Sequence, residues 1–354
     1  MDISNIFSEI IRKHGFLFIA EVSNNHLGSL ERYKKIIHTA KKTGAHAVKI
    51  QTYMADSLCL EKGKEKHIID KGPWAGRSYW DLYKSMEVPR EWSLEVRDYA
   101  NSIGMPILSS PFSPLDANYL MDNGFKMLKV ASGEFTYPEL IKVIVRRDVK
   151  FMASCGFANQ QELKWMQEYI ARFSKHNNLW CLFNCLSDYP SSIKDLDLHK
   201  FSLLKNYCPI VGLSDHSLDY ASIVSSYIYG ARVFEKHFTL SRADGGPDGF
   251  FSLEPAEMAQ QIKILHALVD NHSLEKDLNG SNVVYKEHIP EVSFSRSVYV
   301  TRDVKAGEIV TLNNIGSFRP SHSESAIHID NYIGKKFARQ MQEGDELMST
   351  DLQD

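Results

Sequence analysis

The chain has 354 residues, and its 41 Lys and Arg against 44 Asp and Glu leave a formal charge of −3, which excludes a basic nucleic-acid footprint over the whole length. With 43% hydrophobic and 24% charged residues it has the composition of a globular protein, not of a disordered or fibrous one. No apolar run reaches the roughly 18 residues a membrane span needs, and charges scattered through residues 1–15 do not make a secretory signal, so the expected location is the cytoplasm.

Residues 16–22 read as a buried strand. Leu30, Tyr33, Ile36, Ile37 and Ala40 recur at helical spacing over 29–42, and Gly44 stops that helix. A second strand follows at 45–52. The alternation then repeats, with strands at 105–109, 126–131, 150–153, 179–185, 209–213 and 231–235. Helical patterns lie near 90–103, 114–122, 137–146, 159–173, 194–206 and 219–229, and a last helix near 254–271. Strict β–α alternation predicts an α/β fold with a parallel sheet, and eight repeats in this length predict a (β/α)8 TIM barrel over residues 1–271. An open doubly wound sheet is the rival, but Ser23-Asn24-Asn25-His26-Leu27-Gly28 is not its Gly-rich first turn.

Residues 54–90 form an oversized loop with Trp74, Tyr79, Trp80 and Tyr83. In a barrel it lies on the active-site face, to enclose substrate, to contact a subunit or simply to pack on the rim. Residues 272–293 are polar and aperiodic and read as a linker. Residues 294–354 change character, with a short strand at 296–301 and turns at 305–308 and 342–345; so small a unit is marginal for an independent core and is expected to dock on another surface. Five cysteines, Cys59, Cys155, Cys181, Cys185 and Cys208, fit a reducing compartment. Cys181 and Cys185 share a strand face but lie roughly 13 Å apart, too far for one metal.

Polar residues crowd the predicted strand ends, where a barrel gathers its chemistry. Lys49 and Lys129 stand in apolar strands, with Ser109, Ser110, Ser132 and Ser154 around them. Two cations amid hydroxyl donors suit a small phosphorylated acid. The alternatives are that each lysine pairs with a structural carboxylate such as Glu21, or that one is a Schiff-base lysine. His216 and His237 end adjacent strands at equivalent places. Two neutral imidazoles with an open coordination sphere suit Mn²⁺, Co²⁺ or Zn²⁺; hydrogen-bonding core histidines are the bland alternative. Glu21 and Asp248 are the nearest carboxylates.

These stretches resemble the sialic acid synthase family, which condenses phosphoenolpyruvate with an amino-sugar aldehyde. The likeness runs through Glu21 to Ser29, Ala47 to Tyr53, Leu128 to Glu134, Gly212 to Ser217, Glu235 to Phe238 and Gly246 to Pro255. Arg296 to Tyr299 and Phe318-Arg319-Pro320 look like the family's C-terminal SAF (antifreeze-like, β-clip) domain. Ile68 to Trp74, Tyr79 to Tyr83 and Pro89 to Trp92 look most like its pseudaminic acid synthase branch.

The resemblance implies phosphoenolpyruvate binding by Lys49, Ser110, Lys129, Ser132, Ser154, Ser187 and Ser214. It implies a divalent metal on His216 and His237, Mn²⁺ favoured and Mg²⁺ or Co²⁺ possible. Glu21, Gln51, Tyr189, Asp248 and Arg319 would face the sugar, with Glu21 and Asp248 assisting catalysis beside Lys49 and Lys129. Arg319 would come from a partner subunit, making a domain-swapped homodimer. The implied sugar is 2,4-diacetamido-2,4,6-trideoxy-L-altrose; an N-acetylneuraminate or legionaminate synthase is the alternative, and a non-catalytic sugar-binding protein a remote one. Cys155 and Leu186 stand where the family usually has threonine, and Leu186 removes a hydroxyl near the expected phosphate.

Overall fold

The computed structural model describes residues 3–174, 176–270, 294–321 and 324–354. Eight parallel strands close into a barrel in sequence order: β1 (Leu17–Glu21), β2 (Ala47–Thr52), β3 (Ile107–Pro111), β4 (Met127–Val130), β5 (Lys150–Ser154), β6 (Leu179–Cys185), β7 (Val211–Asp215) and β8 (Val233–His237). The TIM barrel expected from the sequence is therefore present. A first helix, α1 (Ile3–His14), precedes β1 and was not anticipated. It shows Ile3, Ile6, Phe7, Ile10 and Ile11 on one side, and Phe7 is fully buried among the inward residues of the strands, so the helix plugs the barrel's N-terminal end.

Helices α2 (Leu30–Lys42), α3 (Tyr79–Lys84), α4 (Trp92–Ser102), α5 (Pro114–Asp122), α6 (Pro138–Arg146), α7 (Gln160–Phe173), α8 (Lys200–Leu204), α9 (Ala221–Ile228) and α10 (Pro255–Asp270) follow. The helix read near 194–206 is much shorter, because the Asp197 carboxylate accepts from the His199 N–H at 2.9 Å and holds a turn ahead of α8. The linker at 272–293 lies outside the described residues.

Strand alternation explains where the chemistry sits. In β1, Phe18 and Ala20 pack outward against the helices, while Leu17 and Ile19 join the barrel interior. Ala47, Leu108, Met127, Met152 and Val233 share that interior. Side chains two residues further along each strand keep the same face. Glu21, Lys49, Ser110, Lys129, Ser154 and Glu235 are those residues, all at most 5% exposed. The core thus passes from apolar at one end to ionic at the other.

Residues 54–90 fold onto the C-terminal mouth. Tyr53, Leu58, Ile69, Tyr79, Trp80, Leu82, Tyr83 and Met86 make a small core there with Phe112 and Phe294. The C-terminal unit pairs β9 (Ser297–Val300) with β10 (Ile315–Phe318) in antiparallel fashion. It has its own core, including Val298, Val300, Val310, Ile329, Phe337 and Leu347. It docks on the long loop: the Arg319 N–H donates to the Leu58 carbonyl at 3.1 Å, and Lys62 pairs with Glu343 at 2.9 Å. Arg319 thereby reaches the mouth of its own chain's barrel, whereas the expectation brought it from a second subunit. No helix among the described residues is long and apolar enough to cross a membrane.

Candidate active site

Four buried charges occupy the upper barrel. Lys49 Nζ lies 2.9 Å from Glu21 and 3.5 Å from Glu235. Lys129 Nζ lies 3.2 Å from the other oxygen of Glu235 and donates to Ser154 Oγ at 2.7 Å. Lys49 also donates to Ser110 Oγ at 3.1 Å, and Ser214 Oγ donates to Glu235 at 3.3 Å. The two lysines therefore converge on Ser110 and Ser154 of the expected serines, and each already has a carboxylate partner. Burial alone would lower the Lys49 ammonium, but Glu21 and Glu235 outweigh it and raise its pKa. That argues against the depressed amine a Schiff-base lysine needs. Burial raises Glu21 in spite of Lys49, whereas Glu235, beside both lysines, is held below the ordinary carboxylate value against the pull of burial.

Ser132 and Ser187 sit one layer above. Ser132 Oγ accepts from the N–H of Gly156 at 2.7 Å, of Phe157 at 3.2 Å, and from Ser187 Oγ at 3.3 Å. A Cβ on Gly156 would stand 2.2 Å from Ser187 Oγ and 2.8 Å from Ser132 Oγ, so only glycine permits this approach. Cys155 faces away: it is fully buried, its Sγ bonds the Phe183 carbonyl at 3.0 Å, and burial pushes its thiol up to about 11. It belongs to the core, not to a phosphate cradle.

His216 and His237 meet, with ring centroids 5.0 Å apart. Burial lowers the first to about 4 and the second well below its usual value, so both are neutral near pH 7. His216 Nδ1 lies 2.5 Å from the Leu186 carbonyl, which takes the ring's N–H there and leaves the Nε2 lone pair free. His237 Nδ1 is buried with no hydrogen-bond partner. Such a donor set, neutral, adjacent and with an unsatisfied nitrogen, fits a divalent cation. Leu186 brings no side-chain hydroxyl to this place, but its backbone carbonyl fixes the His216 ring.

A cavity of about 120 Å³ opens over this floor. Gln51, Asp248, His237, Tyr189, Trp74 and Arg319 line it. Asp248 accepts from Ser23 Oγ, from the Asn24 N–H at 3.2 Å and from Asn24 Nδ2 at 2.9 Å, yet burial keeps its pKa raised. Gln51 donates to Glu21 at 2.8 Å. Tyr189 packs on His216 with centroids 4.2 Å apart. The residues expected to bind phosphoenolpyruvate, sugar or metal fall in these layers. Ser109, which the sequence also put around the lysines, does not, because strand alternation turns it to the outer face of β3, where its hydroxyl pairs with Thr52 Oγ1 at 2.8 Å. Ser110, Ser154 and Ser214 lie on the floor with the lysines and are not lining residues of the cavity.

The sequence reading missed Glu134 and Glu235, which stand at strand ends but had been given no role. It also missed Phe112, Phe157 and Phe294 of the aromatic wall, to which the long loop adds Trp74 and Tyr83. Glu235 could have been found, because it shares a strand face with His237 two residues on. Glu134 could not: its partners Arg296 and Arg319 are more than 160 residues away.

Residues 36–273 match the NeuB family and residues 295–353 the SAF domain. The chain is 35% identical to the pseudaminic acid synthase of Campylobacter jejuni, over 95% of this chain and 96% of that one. It is 29% identical to the N,N'-diacetyllegionaminic acid synthase of the same organism, over 94% of this chain and 98% of the relative. The spore coat polysaccharide biosynthesis protein SpsE of Bacillus subtilis superimposes with a TM-score of 0.77 at 23% identity, covering 96% of this chain and 95% of that one, a likeness of fold.

Proposed function

The chain belongs to the NeuB family and ends in a SAF domain, and from that premise we propose that it condenses phosphoenolpyruvate with an N-acyl amino-sugar aldehyde and water to give a nine-carbon 2-keto acid and phosphate. The favoured sugar is 2,4-diacetamido-2,4,6-trideoxy-L-altrose, which would make the product pseudaminic acid; the greater identity to a pseudaminic than to a legionaminic acid synthase supports this choice. The observation that carries the reading is the meeting of two buried lysines and two neutral histidines beneath one cavity.

Lys49 and Lys129 would bind the substrate's carboxylate and phosphate, aided by Ser110, Ser154 and Ser214 on the floor and by Ser132 and Ser187 above. A divalent ion held by His216 and His237, with Mn²⁺ favoured, would polarise the aldehyde oxygen as a Lewis acid. C3 of phosphoenolpyruvate then bonds to the aldehyde carbon. Water adds at C2, and the C–O bond to phosphate breaks to leave the ketone. Glu21 would move a proton near the aldehyde once an incoming anion draws Lys49 away; the burial that already raises its pKa supports this, because it favours the protonated form. Asp248, Gln51 and Tyr189 would orient the sugar's polar groups. Arg319 Nε is buried without a hydrogen-bond partner on the cavity wall and would donate to an N-acyl carbonyl. A homodimer that exchanges its SAF domains, making between copies the Arg319–Glu134 contact that the structure shows within one chain, is part of the proposal; a monomer on sedimentation of the full chain would overturn it.

The decisive experiment measures phosphate release from phosphoenolpyruvate with Mn²⁺. The altrose sugar, its legionaminate-pathway counterpart and N-acetylmannosamine are offered in parallel, with an EDTA control. Release with the altrose sugar alone is expected. Release with another sugar instead overturns the substrate assignment, and release with none overturns the condensation.

A further inference from the structure

Glu235 occupies an unusual place between the two lysines. It lies on β8, while Lys49 is on β2 and Lys129 on β4, two strands that β3 keeps from pairing directly. Across the barrel interior one oxygen of Glu235 stands 3.5 Å from Lys49 Nζ, and the other accepts from Lys129 Nζ at 3.2 Å. Ser214 Oγ, on β7, fixes the first oxygen at 3.3 Å. Lys129 is further confined by Ser154 at 2.7 Å and by the face of Phe183, 4.4 Å from its ammonium. Glu21 contacts Lys49 at 2.9 Å, so Glu235 is the carboxylate that touches both lysines.

The four charges sum to zero, two ammonium groups against two carboxylates. A cradle meant only to attract a polyanion would carry no buried carboxylate between its cations. Negative charge at that point weakens attraction for phosphoenolpyruvate and fixes the distance between the two ammonium groups. Without it, each lysine keeps a neighbour of its own, Glu21 for one and Ser154 for the other, and nothing ties the pair together.

We propose that Glu235 is a positioning residue of the condensation, holding Lys49 and Lys129 at a fixed separation at the expense of ground-state affinity for phosphoenolpyruvate. The inference rests on the function proposed above. A displacement of about 1 Å in such groups lowers turnover by about 100-fold. An interaction that opposes substrate binding yet favours the transition state lowers both kcat and KM when it is removed.

Glu235→Gln keeps the shape and removes the charge. Glu235→Asp keeps the charge and withdraws the carboxyl by one methylene. Both are compared with the wild-type full chain, loaded with Mn²⁺, by calorimetric titration of phosphoenolpyruvate without sugar and by steady-state kinetics with it. For Glu235→Gln we expect phosphoenolpyruvate to bind several-fold more tightly while kcat falls about 100-fold. For Glu235→Asp we expect near wild-type affinity with kcat reduced at least 10-fold. Wild-type kcat in Glu235→Gln overturns the proposal, as does parallel loss of binding and turnover in both variants, the mark of a merely structural carboxylate. Failure of the wild type itself to bind phosphoenolpyruvate overturns the underlying function, which is a different result from unaltered variants of a binding enzyme.

Discussion

Arg319 Nη2 donates to both carboxylate oxygens of Glu134, at 2.6 and 2.5 Å, and so ties the C-terminal unit to the end of β4. Arg296 donates to the same carboxylate at 3.1 Å, and Tyr83 accepts from Arg319 Nη1 at 2.7 Å. All three charged groups are buried, and two guanidinium groups share one carboxylate. Glu134→Ala would strand both cations, a loss of about 3–5 kcal/mol for a buried pair broken on one side. A lower, less cooperative thermal transition is expected by calorimetry. Arg319→Lys retains charge but loses the planar fork and the Nε donor. Its expected signature is a sugar KM raised about 10-fold with the phosphoenolpyruvate KM unchanged.

Lys129→Ala is expected to abolish phosphate release, by at least 1,000-fold, while circular dichroism shows an intact barrel. The lysine makes its contacts inside the ionic layer, and Glu235 keeps Lys49 as a partner when Lys129 is gone. Wild-type turnover by this variant would refute the anion-site assignment.

The barrel and its ionic layer were legible in the sequence because both follow from local periodicity. A two-residue strand repeat puts Lys49 above Ala47 and Lys129 above Met127, so a lysine in an apolar strand announces an inward charge. The α1 plug escaped notice because its apolar stripe is interleaved with Glu9, Arg12 and Lys13, and the cavity that Phe7 fills exists only once the barrel has closed. Residues 54–90 carry no period. Their aromatics are ordered by packing against Phe112 and Phe294, residues that only the tertiary fold brings there. The latch of Glu134 with Arg296 and Arg319 joins two units of the chain, and no spacing rule reaches across them.

Removal of divalent ions should separate chemistry from architecture. EDTA is expected to stop phosphate release without unfolding the chain, and added Mn²⁺ to restore it. His237→Ala should raise the Mn²⁺ dissociation constant at least 10-fold, read from the free-ion electron paramagnetic resonance signal. This readout does not depend on turnover. Undiminished Mn²⁺ affinity in His237→Ala would remove the histidine pair from the metal site.

Two other histidines make stability depend on pH. His46 Nδ1 accepts from the Phe18 N–H at 3.0 Å, and His26 Nδ1 from the Gly28 N–H at 3.1 Å, so protonation of either ring at that nitrogen breaks a bond to the backbone. His46 also neighbours His14 and His266, with nitrogens within 4.8 Å of one another. With Nδ1 accepting from the backbone, the neutral His46 ring carries its proton on Nε2, which leaves that nitrogen no lone pair for a metal. Burial, then His14 and His266, lower His46 to about 4; burial, then Arg32, lower His26 to about 4. The unfolded chain, with its histidines near 6.5, binds more protons between those values. Stability therefore rises with pH across that window and is lost as pH falls through it, by at most about 1.4 kcal/mol per pH unit for each ring. Urea midpoints of the metal-free protein should fall from pH 7 to pH 5. His46→Gln, whose amide oxygen can still accept from Phe18, should flatten that slope by the share of one ring. An identical slope in wild type and variant would show that His46 is not titrating there.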